Sequence, residues 1–169
     1  MKTTLVIIDD SQAIHELVAV ALADNGFTLK HALDGTTGLA MVAAVRPDLV
    51  LLDVDLPDID GFEVCRRLKT DPITADIGVI FLTSATSAED RVRGLALSSD
   101  DYIVKPFDPR ELGLRVQSVL NNLRMARFVT GAEKDEVARA GTFRGNPRLN
   151  FSQILQARSK NPWNRTAPA

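Results

Sequence analysis

Four side chains of this 169-residue chain have the types and spacing that phosphoryl transfer needs. Asp9 and Asp10 follow an early apolar run, Asp53 ends a central one, and Lys105 ends a later one. Carboxylate oxygens, a backbone carbonyl and water are the ligands that Mg²⁺ prefers. Asp9, Asp10 and Asp53 therefore form a candidate Mg²⁺ site, and the backbone carbonyl of Asp55 is a candidate for one further ligand.

Asp53 is the candidate for the group that reacts. An aspartate can carry an acyl phosphate as a covalent intermediate. The transferred phosphoryl group develops negative charge, which a metal ion and a fixed lysine stabilise and to which a hydroxyl can donate. Lys105 supplies the ammonium and Thr83 the hydroxyl, and the Lys105-Pro106 bond is a candidate for the cis form. We interpret Asp53 as a phosphoacceptor.

The elements that must position these residues alternate between strand and helix over the first 120 residues. Such alternation favours βαβ units and a parallel sheet that is covered on both faces. Right-handed crossovers then place the C-terminal ends of all strands at one edge of the sheet, where the acids, Thr83 and Lys105 would meet. The predicted strands are residues 4–8, 27–32, 49–53, 77–83 and 102–105.

Five helices are predicted between and after these strands. Their start signals are capping residues or turn residues followed by apolar positions at helical spacing. The fourth begins at Ser87 and the fifth at Asp108-Pro109, where proline suits the first turn of a helix. The predicted starts are near Ser11, Asp34, Gly61, Ser87 and Asp108.

Four motifs, in this order and spacing, resemble the receiver domain of bacterial response regulators over residues 1–122. The resemblance implies an α/β fold, a flavodoxin-like, doubly wound sheet of five parallel strands with five helices. A C-terminal tail with little structure would follow, as in a single-domain, chemotaxis-type regulator with an extension. The motifs are Asp9-Asp10, Asp53 followed by Pro57 and Gly61, residues 82–85 (LTSA) and residues 100–107 (DDYIVKPF).

The resemblance also implies a role for each residue of the site. Asp53 would accept the phosphoryl group from a sensor histidine kinase or a histidine phosphotransfer protein. Asp9 and Asp10 would hold Mg²⁺, while Thr83 and Lys105 would bind the phosphoryl oxygens. We expect no enzymatic activity beyond self-phosphorylation and autodephosphorylation at Asp53.

Tyr102 matches the aromatic residue that turns inward in this family when the hydroxyl, here that of Thr83, closes on the phosphoryl group. The signal would then pass by protein–protein contact to a downstream target. We expect the face formed by the fourth helix, the fifth strand and the fifth helix to carry it, and this face is also a candidate for homodimerisation.

Charge divides the chain into two parts. Residues 1–119 hold 11 Lys/Arg against 19 Asp/Glu, whereas residues 120–169 hold 9 against 3. We predict a receiver domain over residues 1–122 and a basic extension over residues 123–169. The extension contains many breaker residues, so we expect it to be partly disordered, with short helices at residues 133–140 and 147–158.

Three alternatives stay open. In the first, the basic tail binds nucleic acid, which we do not expect because no helix-turn-helix pattern is present. In the second, the chain is the receiver fragment of a longer regulator. In the third, the protein is an aspartyl-phosphate phosphatase with Asp55 as its general acid, which Asp9-Asp10 and residues 102–105 disfavour.

The other residues with reactive side chains have ordinary interpretations. We expect His15 on an exposed helix face, His31 in an edge strand, and Cys65 in the packing of the third helix. A single cysteine excludes an intrachain disulfide and a multi-cysteine metal site. The sequence contains no secretory or membrane-spanning pattern, so we expect no membrane contact and a cytoplasmic location.

Overall fold

The structure, a computed structural model, describes residues 2–84 and 97–140, with side chains as far as Val129. The helix that was predicted to begin at Ser87 and the tail after residue 140 lie outside the described residues. Within the described ranges, one sheet is covered by helices on both of its faces.

Five strands form this sheet, in the order β2-β1-β3-β4-β5, and every neighbouring pair is parallel. This is the flavodoxin-like order in which the chain winds first to one side of β1 and then to the other. It confirms the predicted fold. The strands are β1 (Thr4–Ile8), β2 (Thr28–Ala32), β3 (Leu49–Asp53), β4 (Gly78–Thr83) and β5 (Asp101–Val104).

Two of the described helices begin at aspartates whose carboxylates satisfy free N–H groups of the first turn. The Asp34 carboxylate accepts a hydrogen bond from the Thr37 N–H, and the Asp60 carboxylate accepts one from the Phe62 N–H. In the described residues, no helix has both the length and the apolar character that a membrane crossing requires. The helices are α1 (Gln12–Ala21), α2 (Gly35–Val45), α3 (Gly61–Thr70) and a long helix (Pro109–Ala140), with a 3₁₀ turn at Ala23–Asn25.

Two hydrophobic clusters cover the two faces of the sheet. In β3, Leu49 and Leu51 belong to the cluster under α1 and the long helix, whereas Val50 and Leu52 belong to the cluster under α2 and α3. All four are fully buried. A strand buried on both faces reads as an unbroken apolar run, which is why this stretch was recognisable in the sequence.

The long helix continues through the predicted boundary at residue 122. Leu123 lies so close to Gly78 that a Cβ there would be 2.6 Å from Leu123 Cδ1. Arg124 donates to the Thr3 hydroxyl (3.0 Å), and Arg127 donates to the Asp76 carbonyl (3.2 Å). The first compact unit of the chain extends to Arg127. Residues 133–140, predicted as a separate short helix, are the end of this one.

A truncation tests where the folded unit ends, because the domain boundary itself stays a prediction. We expect a chain ending at residue 122 to have a free energy of unfolding about 1–3 kcal/mol lower than a chain ending at residue 127, since it lacks the Leu123 packing and two arginine hydrogen bonds. Urea denaturation of both chains measures the difference. Equal stability of the two would support a boundary at residue 122.

Candidate phosphoacceptor site

The sheet brings the predicted site residues to one edge. Asp53 is the last residue of the central strand β3, and it pairs with Leu82 of β4. Thr83 is the last residue of β4, while Asp9 directly follows β1 and Lys105 directly follows β5. Because the strands are parallel, their C-terminal ends share this edge.

Three carboxylates cluster at this edge. One oxygen from each of Asp9, Asp10 and Asp53 lies within 4.8 Å of the other two. Asp9 is fully buried and Asp53 is 3% exposed, whereas Asp10 is exposed. Ser11 fixes the first of them, because its backbone N–H donates to Asp9 Oδ1 (2.9 Å). Buried like charges at this spacing repel one another, so the cluster favours a bound cation.

Lys105 supplies positive charge to the same cluster. Its ammonium lies 2.6 Å from Asp9 Oδ2 and 3.2 Å from Asp53 Oδ1. The Lys105 backbone N–H donates to the Thr83 carbonyl (2.7 Å), which joins the ends of β4 and β5. The following peptide bond, Lys105–Pro106, is cis.

The carboxylate of Asp53 depends on Lys105 for charge compensation. Apart from the Lys105 ammonium at 3.2 Å, its buried Oδ1 has no hydrogen-bond donor among the residues that the structure describes. Burial is the main cause that raises the pKa of Asp53 to about 6, and the Asp9 charge adds to it. Lys105, and to a smaller extent the backbone N–H of Asp55, act in the opposite direction. A buried carboxylate oxygen that shares its one ammonium neighbour with Asp9 is a suitable ligand for a hard cation.

The loop between β3 and α3 folds back against Asp53. The Gly61 N–H donates to the Val54 carbonyl (2.9 Å), and a Cβ on Gly61 would lie 2.0 Å from the carbonyl oxygen of Asp53. Only glycine permits this approach. The loop therefore holds Asp55, whose carbonyl is the candidate metal ligand, at a fixed position after the acceptor.

The two predicted switch residues lie on β4 and β5. Thr83 is fully buried at the edge that carries the acids. Tyr102 is half-buried, and its ring centroid lies 6.2 Å from that of Phe81, which in turn lies 5.1 Å from that of Phe62. The rings of Tyr102, Phe81 and Phe62 thus form a row from β5 across β4 to α3.

Comparison with known proteins identifies the family. The family model of the response regulator receiver domain matches residues 5–117. The chain belongs to this family. A receiver domain protein (CheY-like) from Methanospirillum hungatei has a similar structure, with a TM-score of 0.70 at 27% identity over 75% of this chain and 99% of that chain.

Two relatives are regulators of transcription by name. The DNA-binding dual master transcriptional regulator RpaA of Synechocystis is 40% identical over 137 residues, which is 81% of this chain and 56% of that protein. The phosphate regulon transcriptional regulatory protein PhoB of Pseudomonas aeruginosa is 43% identical over 117 residues, 69% of this chain and 51% of that protein. The receiver chain spans about half the length of these two relatives.

His15 corrects one sequence-based expectation, because it is only 3% exposed in this receiver. It was expected on an exposed face of α1, but it lies on the side of Val18 and Leu22, at positions i, i+3 and i+7. This spacing was readable in the sequence. The ring is buried because both of its nitrogens have partners, which removes most of the cost of burial. His31 lies in the edge strand β2, as expected. Cys65 lies in α3, and its side chain is buried in the hydrophobic cluster under that helix.

The contacts of His15 place a hydrogen on one of its ring nitrogens. Nε2 lies 2.7 Å from the Asp9 carbonyl, which can only accept, so Nε2 carries a hydrogen. In the neutral ring Nδ1 then accepts, and its partner at 2.9 Å, His31 Nδ1, donates. Burial and the neighbouring His15 lower the pKa of His31, which favours the neutral form of His31. His15 therefore anchors the backbone of a candidate metal ligand.

We expect His15→Leu to lower the free energy of unfolding by about 1–3 kcal/mol, because it leaves the Asp9 carbonyl without its buried donor. His15→Gln keeps an amide N–H that reaches as far as Nε2, so it should recover part of this loss. Urea denaturation at neutral pH compares the two variants. A glutamine variant no more stable than the leucine variant would show that the hydrogen bond to Asp9 contributes little.

Proposed function

We propose that this receiver is a phosphorylation switch in which Asp53 accepts a phosphoryl group from a sensor histidine kinase or a histidine phosphotransfer protein. The observation that carries the proposal is the position of Asp53: it is buried at the end of the central strand, beside two further carboxylates and the Lys105 ammonium. Family membership supports the same function.

The residues present fit Mg²⁺. The carboxylates of Asp9, Asp10 and Asp53, together with the Asp55 carbonyl, would hold it. Lys105 is shared between Asp9 and Asp53, so one ammonium does not neutralise the three clustered carboxylates. All of these donors are oxygens, as Mg²⁺ prefers. When bound, Mg²⁺ supplies charge neutralisation at the phosphoryl oxygens.

Asp53 and the side chains around it have different roles in the phosphoryl transfer. A carboxylate oxygen of Asp53 forms a bond to phosphorus as the bond from phosphorus to the donor histidine nitrogen breaks, and that nitrogen keeps the electron pair and takes up a proton. The Lys105 ammonium stabilises the charge on the transferred group, and the Thr83 hydroxyl donates to one of its oxygens. Hydrolysis of the acyl phosphate would reset the switch.

The signal would leave through the surface beside β5. Closure of Thr83 on the phosphoryl group would draw Tyr102 inward and shift a pre-existing equilibrium between two conformations. On this surface Arg115 pairs with Asp101 (3.0 Å) and with Glu111 (2.8 Å). These partly exposed ion pairs can exchange partners with a downstream target or with a second copy, so homodimerisation through this face is part of the proposal. A cytoplasmic location stays a prediction.

A second candidate function concerns the tail. Residues 141–169 contain five Lys/Arg and no Asp or Glu, which suits a nucleic acid or an acidic protein. The chain also spans about half the length of RpaA and PhoB, which supports the alternative that it is the receiver fragment of a longer regulator. Salt-dependent DNA binding that disappears when these residues are removed would favour the nucleic-acid function.

The decisive experiment is the intact mass of the protein after incubation with acetyl phosphate and Mg²⁺. We expect one added phosphoryl group on the wild-type chain and none on Asp53→Asn or in EDTA. Asp55→Asn is the matched control, because it removes a neighbouring charge and keeps the acceptor. No adduct on folded wild-type protein would contradict the proposal, and repeated turnover of phosphate esters would favour the phosphatase alternative.

A further inference from the structure

The loop that follows Asp53 has a second attachment point, far from its junction with β3. Asp58 reaches across to the start of α2, where one carboxylate oxygen accepts from the Gly35 N–H (2.8 Å). The other oxygen accepts from both the backbone N–H of Thr36 (2.8 Å) and its hydroxyl (2.5 Å). These bonds, above all that from the Thr36 hydroxyl, hold the pKa of Asp58 well below its usual range.

Close packing reinforces this attachment. A Cβ on Gly35 would lie 2.4 Å from Cγ1 of Ile59, so the residue after Asp58 fits directly against the start of α2. The helix in turn lies directly on β1, since a Cβ on Gly38 would be 2.5 Å from Cδ1 of Ile8. Ile8 is the residue before Asp9. The loop after the acceptor is therefore joined, through α2, to the strand that carries the acidic pair.

Asp58 is not the capping residue of α2. Asp34 is the capping residue of α2, and its carboxylate already accepts from the N–H (2.7 Å) and the hydroxyl (3.0 Å) of Thr37. The Thr36 N–H is exposed, so water would satisfy it in the absence of Asp58, whereas the N–H of the buried Gly35 would lose this acceptor. Asp58 therefore contributes a hydrogen bond at the start of α2 and also fixes the position of the loop in which it lies.

We propose that Asp58 is a positioning residue of the phosphoacceptor site: by holding the loop against the start of α2, it fixes the Asp55 carbonyl where Mg²⁺ is bound. The inference rests on the proposed function, because it takes that carbonyl as a metal ligand. Asp58 touches neither the metal site nor Asp53, so its effect must pass through the loop backbone. Supporting contacts of this kind commonly tune the affinity of a metal site.

The expected result is a change in Mg²⁺ dependence. Asp58→Ala should weaken Mg²⁺ binding, measured directly by isothermal titration calorimetry without a phosphodonor, by about 10-fold, since a freed loop must be ordered when the ion binds. Acetyl phosphate labelling of Asp53, followed by intact mass across a Mg²⁺ titration, should then be slow at low Mg²⁺ and approach the wild-type rate at saturation. Asp58→Asn keeps an acceptor oxygen but places an amide group against the N–H donors. Its Mg²⁺ midpoint should therefore lie between those of the wild type and Asp58→Ala.

Asp34→Ala is the matched control. It removes a carboxylate with a similar pair of hydrogen bonds from the same helix terminus, but that carboxylate has no link to the loop. It should lower the stability of α2 and leave the Mg²⁺ midpoint unchanged. Thr36→Val removes only the hydroxyl donor to Asp58, so it should shift the midpoint slightly, and it should have no added effect in the Asp58→Ala background.

The outcomes separate the two proposals. If the folded wild-type protein acquires no Mg²⁺-dependent phosphoryl group at Asp53, the proposed function itself fails. If the wild type is labelled and Asp58→Ala has the same Mg²⁺ midpoint as the wild type and Asp34→Ala, the positioning role is overturned. A midpoint that shifts in Asp58→Ala alone, with the maximal rate retained, supports it.

Discussion

The variant Gly61→Ala is expected to lose about 2–4 kcal/mol of its free energy of unfolding and to accept the phosphoryl group poorly or not at all. The added Cβ would lie 2.0 Å from the Asp53 carbonyl oxygen and 2.8 Å from the Val54 Cα. Both are backbone atoms, so no side-chain rotation can relieve the contact. The loop must move away from the end of β3, and the hydrogen bond from the Gly61 N–H to the Val54 carbonyl is lost with it.

Gly113→Ala is the control for this variant. Gly113 lies in the long helix, and the nearest atom to an added Cβ is the Ala21 carbonyl oxygen, at an unstrained 3.8 Å. Alanine there should raise stability by about 0.5–1 kcal/mol, because glycine is a poor residue for the interior of a helix. Urea denaturation and acetyl phosphate labelling of both variants provide the comparison. A Gly61→Ala protein that unfolds and labels like the wild type would show that the loop adapts without cost.

The sheet could be predicted because its strands carry their own signal. A strand buried on both faces has no polar positions, so residues 49–52 stand out in the sequence as an unbroken apolar run. The rule that strand ends share an edge then predicts which polar residues meet. The structure does bring Asp9, Asp53, Thr83 and Lys105 to one edge, although their chemical roles stay predictions until labelling is tested.

The tertiary contacts between polar residues could not be predicted in the same way. Asp58 and Thr36 are 22 residues apart, and no spacing rule connects a loop carboxylate to the start of another helix. His15 was misassigned because the pattern was read from apolar residues alone. A histidine can occupy a buried position when both ring nitrogens have partners, and its partner, His31, is known only once β2 is placed beside β1.

The length of the last helix was underestimated for a different reason. The domain boundary was placed at residue 122 from the change in charge, and glycines such as Gly131 were counted among the breaker residues of the extension, but a glycine costs a helix only about 1 kcal/mol. Leu123, Arg124 and Arg127 bind the helix to the first compact unit beyond residue 122. The packing of Leu123 and the two arginine hydrogen bonds together outweigh the weak helix propensity of single residues.

In metal-free solution, we expect Asp53→Asn to be more stable than the wild type by about 1–3 kcal/mol at about pH 7.5. Folding raises the pKa of Asp53 from 3.8 to about 6, so the ionised carboxylate is less favourable in the folded than in the unfolded state. The wild type therefore loses stability, relative to the uncharged variant, as the pH rises from about 4 through 6. Below about pH 4 both states bind the proton and the difference should vanish.

Urea denaturation in EDTA at about pH 4 and about pH 7.5 measures this difference. The control is Asp55→Asn, a change at an exposed neighbour, whose free energy of unfolding should stay within about 0.5 kcal/mol of the wild-type value at both pH values. In Asp53→Asn, the Lys105 ammonium loses the Asp53 carboxylate but keeps the Asp9 carboxylate, which lies 2.6 Å away in the wild type. The lost ion pair should therefore not cancel the gain in the free energy of unfolding. Saturating Mg²⁺ should then reduce or reverse the difference in the free energy of unfolding between Asp53→Asn and the wild type. The ion stabilises the folded wild type through the carboxylate that the variant lacks. An Asp53→Asn protein less stable than the wild type in EDTA would mean that Lys105 compensates the buried charge, and that the site does not need a cation to satisfy Asp53.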